Sequence, residues 1–151
     1  VRLMGIDANP YIVEAARTNL RQYPEIELLT MNVFSTAFQS MKFDVVVGTL
    51  FYHHFTDKQL SEFFQQLKDQ VRIGHIINDI HRHAIAFYSI RFLTNYFSRS
   101  SMVKFDAPLS VLRAFKKREL VEILKNAGAG TFTIQWKWAF RWQVLVYFPK
   151  D

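Results

Sequence analysis

The chain has 151 residues, half of them hydrophobic and 21% charged, with a formal net charge of +6 and no cysteine. This balance suits one globular domain with a real core and excludes a disordered chain, while the lack of cysteine excludes disulfides and thiolate chemistry and points to a reducing, cytoplasmic setting. The basic residues are scattered, which gives nucleic-acid binding little support, and the most apolar stretch, Ala84 to Phe97, is broken by Arg91 and Asn95 and is shorter than the roughly 20 residues of a membrane span, so no membrane partner is expected.

Val1 to Ile6 reads as a buried strand running into Asp7-Ala8-Asn9-Pro10, where Asn9 can cap a helix and Pro10 suits its first turn. Those polar residues also interrupt any signal-peptide pattern. Ile12, Val13, Ala16 and Leu20 then fall on one helical stripe. Ile26 to Met31 and Phe43 to Val47 read as further strands, nearly all apolar as buried parallel strands are.

Thr56 and Gln59 form a capping box ahead of Leu60, Phe63, Phe64, Leu67 and Val71 at helical spacing. His75 to Ile80 is the next strand, and Ala84 to Phe97 an apolar helix. Ser98 to Ala114, with Asp106 and Pro108, reads as an irregular segment, so that about 83–115 forms an insertion that would serve as a lid and apolar substrate wall, with Tyr88, Phe92, Tyr96 and Phe115 as candidates. A last amphipathic helix carries Leu120, Val121, Ile123, Leu124 and Ala127 and ends at Gly128 in a left-handed conformation. Thr131 to Lys137 and Arg141 to Phe148 close the chain as an antiparallel pair.

Alternating strands and helices predict an α/β fold with a mostly parallel sheet, covered on both faces, whose ligand binds at the carboxyl ends of the strands. Those ends carry Asp7, Asn32, Gly48 to His54, and Asp79 to Arg82. The polar residues thus converge on one edge.

Gly5-Ile6-Asp7-Ala8-Asn9-Pro10, Phe43-Asp44-Val45-Val46-Val47-Gly48 and Leu50-Phe51-Tyr52-His53-His54-Phe55, in this order and spacing, resemble the class I S-adenosylmethionine-dependent methyltransferases over the whole chain. Asn78-Asp79-Ile80-His81-Arg82, with the apolar helix, Phe105-Asp106-Ala107-Pro108-Leu109-Ser110 and Arg113-Ala114-Phe115 after it, is similar to a bacterial subgroup associated with small hydroxylated, often aromatic, substrates. The resemblance implies a Rossmann-like sheet with an antiparallel last strand, a single partial domain over 1–151, S-adenosylmethionine as cofactor, and methyl transfer to a small molecule.

It also implies residue roles. Asp7 would accept hydrogen bonds from the ribose hydroxyls, with Ala8 beside it; its alternative is a helix cap or turn. Asn32 would stand where the family has an acid near the adenine amine, with Val33 and Phe34 flanking the ring. Gly48 and Thr49 would let backbone approach the methionyl part. The family's first strand and glycine-rich loop have no counterpart among the five glycines, so the chain is expected to be truncated at its amino end, with the absent strand falling between Val1–Ile6 and Phe43–Val47. Cofactor affinity would then be weak or absent if Val1 is the true beginning.

Methyl transfer needs positioning, exclusion of water and removal of the acceptor's proton, and histidine suits the last task. His54 and His81 are the candidate catalytic residues, and His53, Asp79, Arg82, Tyr88 and Phe115 the candidate substrate-side residues, Asp79 either orienting a histidine or binding substrate. Each has a structural alternative: the histidines as loop hydrogen-bond partners, Asp79 and Arg82 as a rim salt bridge, the aromatics as packing or a homodimer contact. No third ligand accompanies His53 and His54, so no metal is expected. The competing functions are a non-catalytic remnant of the fold serving in association and, behind it, a nucleic-acid methyltransferase.

Overall fold

The computed structural model describes residues 1–148. Two compact units divide at Met41–Lys42. In the first, β1 (Leu3–Asp7) pairs in parallel with β2 (Ile26–Thr30), joined by α1 (Pro10–Leu20); a short α2 (Thr36–Gln39) follows. Asn9 caps α1 by accepting from the Tyr11 N–H, and Pro10 opens the helix. Of the expected stripe only Val13 is buried, and Ile12 is exposed.

The second unit holds a four-stranded sheet in the order β3-β4-β6-β5, made of β3 (Phe43–Thr49), β4 (Val71–Ile80), β5 (Thr131–Lys137) and β6 (Arg141–Tyr147). β3 and β4 run parallel, β6 is antiparallel to both β4 and β5, and the closing hairpin lies where its alternation predicts. The expected single sheet is therefore two sheets. β1 has only β2 as a strand partner and β3 only β4 among the described residues, so each has one unladdered edge. With that edge open, Val47 on β3 is 63% exposed rather than buried as an interior parallel strand would be.

Between β3 and β4 the chain forms a 3₁₀ turn, η1 (Tyr52–His54), and α3 (Asp57–Gln70). The capping box is complete: Gln59 N–H donates to Thr56 Oγ1 at 3.3 Å and Thr56 N–H to Gln59 Oε1 at 2.9 Å. Leu60 and Leu67 of α3, Leu120 and Leu124 of α6 (Lys117–Asn126), and Ile77 and Val144 of the sheet are the centre of the core. Gly128 ends α6 at φ +60°, as its position after the helix predicts.

α4 (Ala84–Phe97) spans the predicted residues, but the segment after it is not irregular. Ser101–Arg113 is a helix, α5, with Pro108 inside it. Ser100 caps it by accepting from the Val103 N–H, and α5 packs against α4 and η1. Proline in a helix interior costs about 3 kcal/mol. Here Pro108 and Val111 are buried, and tertiary packing outweighs a local signal that reads as a break.

Candidate functional site

In the first unit the candidate groups stand at the carboxyl ends of β1 and β2. Asp7 is exposed at the tip of β1, and one carboxylate oxygen accepts the Asn9 N–H at 2.7 Å. A carboxylate offers about four lone-pair sites, so capacity remains for a vicinal diol. Ala8 is exposed beside it. Asn32, two residues past β2, is exposed, and its Oδ1 accepts the Phe34 N–H at 2.9 Å, which forms the turn carrying Val33. A carboxylate and an amide on neighbouring strand ends are a donor set that fits a ribose and an adenine edge.

In the second unit, the chain leaves β3 through Gly48, Thr49 and Leu50. Thr49 is exposed, and Leu50 takes φ +54°, a left-handed conformation uncommon for a side chain of its size. Gly48 is buried, and a Cβ there would overlap the Tyr52 ring. The glycine is thus required by a neighbour inside this chain, a reason that does not depend on cofactor approach. The Tyr52 hydroxyl meets His75 Nε2 at 2.5 Å, both side chains almost wholly buried. Burial raises the Tyr52 pKa, with the Asp79 charge adding to it, and lowers that of His75 to about 3, so the phenol donates and a neutral imidazole accepts.

Asp79, near the end of β4, has no exposure to solvent. Its carboxylate accepts backbone N–H groups from Tyr52 at 2.7 Å, Phe51 at 3.2 Å and His53 at 3.3 Å, and the His53 ring through Nδ1 at 2.7 Å. Burial raises its pKa, but the hydrogen bond and charge of His53 and the backbone N–H groups of Ile80 and Tyr52 outweigh it, so the carboxyl stays below its usual range. One carboxylate therefore pins the whole η1 turn and orients His53, which is buried.

His54 is exposed on the same turn, its ring 4.1 Å from that of His53. Desolvation and the neighbouring His53 hold its pKa below the ordinary value, with Arg113 adding to the shift and Asp79 and Asp106 opposing it. It is a neutral imidazole at neutral pH. His81 bridges to Phe115 and packs against Trp142 at 4.5 Å; desolvation, then His83, lowers its pKa, and its Nδ1 is buried without a partner.

Two substrate-side candidates are engaged elsewhere. Arg82 is ion-paired with Glu119, so its guanidinium already has a carboxylate. Phe115 is buried, and its carbonyl accepts from the Arg82 N–H and from Trp142 Nε1, which makes it part of the core rather than of an open wall. Tyr88 is 67% exposed on α4. The sequence gives Asp79 as a group that orients a histidine without saying which, and the Tyr52–His75 pair has no sequence signal beyond a tyrosine before two histidines.

Residues 1–74 match the profile of a family described as a methyltransferase domain. No curated protein matches the chain. Solved structures similar to it include a candidate O-methyltransferase from Nostoc punctiforme, at 16% identity over 97% of this chain and 44% of that one (TM-score 0.66). A magnesium protoporphyrin IX methyltransferase from Synechocystis with bound S-adenosylhomocysteine (SAH) matches at 14% identity over 97% and 63% (TM-score 0.61). The plantazolicin methyltransferase BpumL, also with SAH, matches at 13% identity over 97% and 66% (TM-score 0.71). The chain thus spans between about two fifths and two thirds of the proteins it resembles. Residues 1–74 thus match a methyltransferase-domain family, and the chain throughout has the α/β, Rossmann-like fold of these solved structures.

Proposed function

We propose that the domain serves methyl transfer from S-adenosylmethionine to a hydroxyl of a small molecule, with His54 taking the acceptor's proton. The observation that carries this reading is the Asp79 carboxylate, which fixes η1 and the His53 ring and leaves a neutral His54 on the open side of the same turn. When bound, S-adenosylmethionine would supply an electrophilic methyl group on its sulfonium sulfur, with a neutral thioether as leaving group. Asp7 and Asn32 would hold ribose and adenine, with Ala8 and Val33 beside them. His53 and Asp79 position His54; His81 shapes the acceptor's surroundings. The SAH bound in two of the similar structures supports the cofactor, and the magnesium protoporphyrin IX and plantazolicin in their names support a small acceptor.

Calorimetric titration with SAH tests the cofactor: binding is expected, several-fold weaker in Asp7→Ala, and no detectable heat would overturn the reading. His54→Gln is expected to leave SAH affinity unchanged and to lower turnover on phenolic acceptors by about 10²–10⁴-fold. A second reading, a non-catalytic domain serving in association, is favoured by the unladdered edges of β1 and β3. Turnover that depends on His54 removes it.

A further inference from the structure

The helices α4 and α5 carry large apolar side chains that are exposed among the described residues. Tyr88, Phe92, Tyr96, Phe97, Met102 and Phe105 are each between 65% and 76% exposed. On α4 the spacing of Tyr88, Phe92 and Tyr96 puts three rings on one stripe, and the Phe92 and Tyr96 rings stack at 6.0 Å. An aromatic side chain presents about 150–250 Å², so the five rings together expose on the order of 700 Å².

The charge on this hairpin is one-sided. Between Ala84 and Arg113 stand Arg91, Arg99, Lys104 and Arg113 against the single acid Asp106. A second copy laid on the same face would bring four cations against four with two carboxylates to answer them. Exposed apolar rings with tyrosines among them, on a segment that carries four cations and one acid, instead complement a surface that is apolar inside and anionic at its rim. Among the described residues no helix is long and apolar enough to cross a membrane, but a helix lying in the interface needs no such length.

We propose that the α4–α5 hairpin docks on an anionic lipid surface, with the α4 stripe in the headgroup region and Arg91, Arg99 and Lys104 at the phosphates. This reassigns Tyr88 from an acceptor wall to the lipid face, and it stands independently of the methyl-transfer reading.

Co-sedimentation with vesicles tests it. The chain is expected to sediment with phosphatidylglycerol–phosphatidylcholine vesicles, to bind pure phosphatidylcholine at least tenfold more weakly, and to be released by added salt. The double substitution Phe92→Glu with Tyr96→Glu should abolish sedimentation, and Arg99→Glu with Lys104→Glu, which keeps the rings, should weaken it at least tenfold. Tyr11→Glu, at an equally exposed ring of the other unit, should change nothing. Absence of sedimentation, equal binding to neutral vesicles, or unchanged binding in the Phe92/Tyr96 variant overturns the proposal. So does a dimeric mass in light scattering that the Phe92/Tyr96 variant halves, which would assign the face to a second copy.

Discussion

Asp79 holds a full negative charge with no contact with water, and it is tolerated because five donors converge on it: four backbone N–H groups and the His53 ring. Charge-assisted hydrogen bonds of this kind are worth about 1.5–3 kcal/mol each when the partner remains buried. Asp79→Asn keeps the shape, but it replaces an oxygen acceptor by an amide donor facing other donors. We expect it to cost about 2–3 kcal/mol, read as a lower urea midpoint with an unchanged slope. The same variant should lose turnover, because the turn that presents His54 is no longer pinned. Gly48 belongs to this region for a steric reason, since the Tyr52 ring occupies the space a side chain would need.

Among the elements, α3 is determined locally and α5 is not. The Thr56–Gln59 capping box satisfies N–H groups at the helix start that would otherwise lack acceptors. Thr56→Ala should cost about 1 kcal/mol in chemical denaturation, and because Thr56 is exposed no packing loss is added. α5 runs through Pro108, which has no N–H to give to the carbonyl four residues back. Its helical form rests on contacts with α4, the helix just before it, and with η1, which is too far away in sequence for any window of local propensity to contain it.

For the molecule as a whole, the buried histidine and carboxylate set the acid limb of stability. His75 has its folded pKa pushed below the unfolded value, to about 3, so between about 6.5 and 3 the unfolded chain binds the extra proton and stability falls as pH falls. One such proton gives a slope of about 1.4 kcal/mol per pH unit. Asp79 has the same sign at lower pH: its contribution is present above the ordinary carboxylate value and is lost as pH falls through its depressed one. Urea midpoints measured from pH 7 to pH 4 should therefore decline steadily, and His75→Phe should flatten the upper part of that decline. An equal decline in the variant would show that His75 is not the group responsible.

Much of this was legible in the sequence. Apolar periodicity, the Asn9 cap with Pro10, the Thr56 capping box, the left-handed Gly128 and the alternating final hairpin are short-range features, and the elements formed where those residues put them. The strand ends were readable too, and with them the positions of Asp7, Asn32, His54 and Asp79. Which groups meet was not. His53 and Asp79 lie 26 residues apart and Tyr52 and His75 23 apart, and nothing local says that one histidine is buried against a carboxylate while its neighbour stays open. Pairing, burial and the protonation that follows depend on how distant strands stack and how much water is left between them. Those are properties of the folded assembly, which is why the tertiary structure alone decided them.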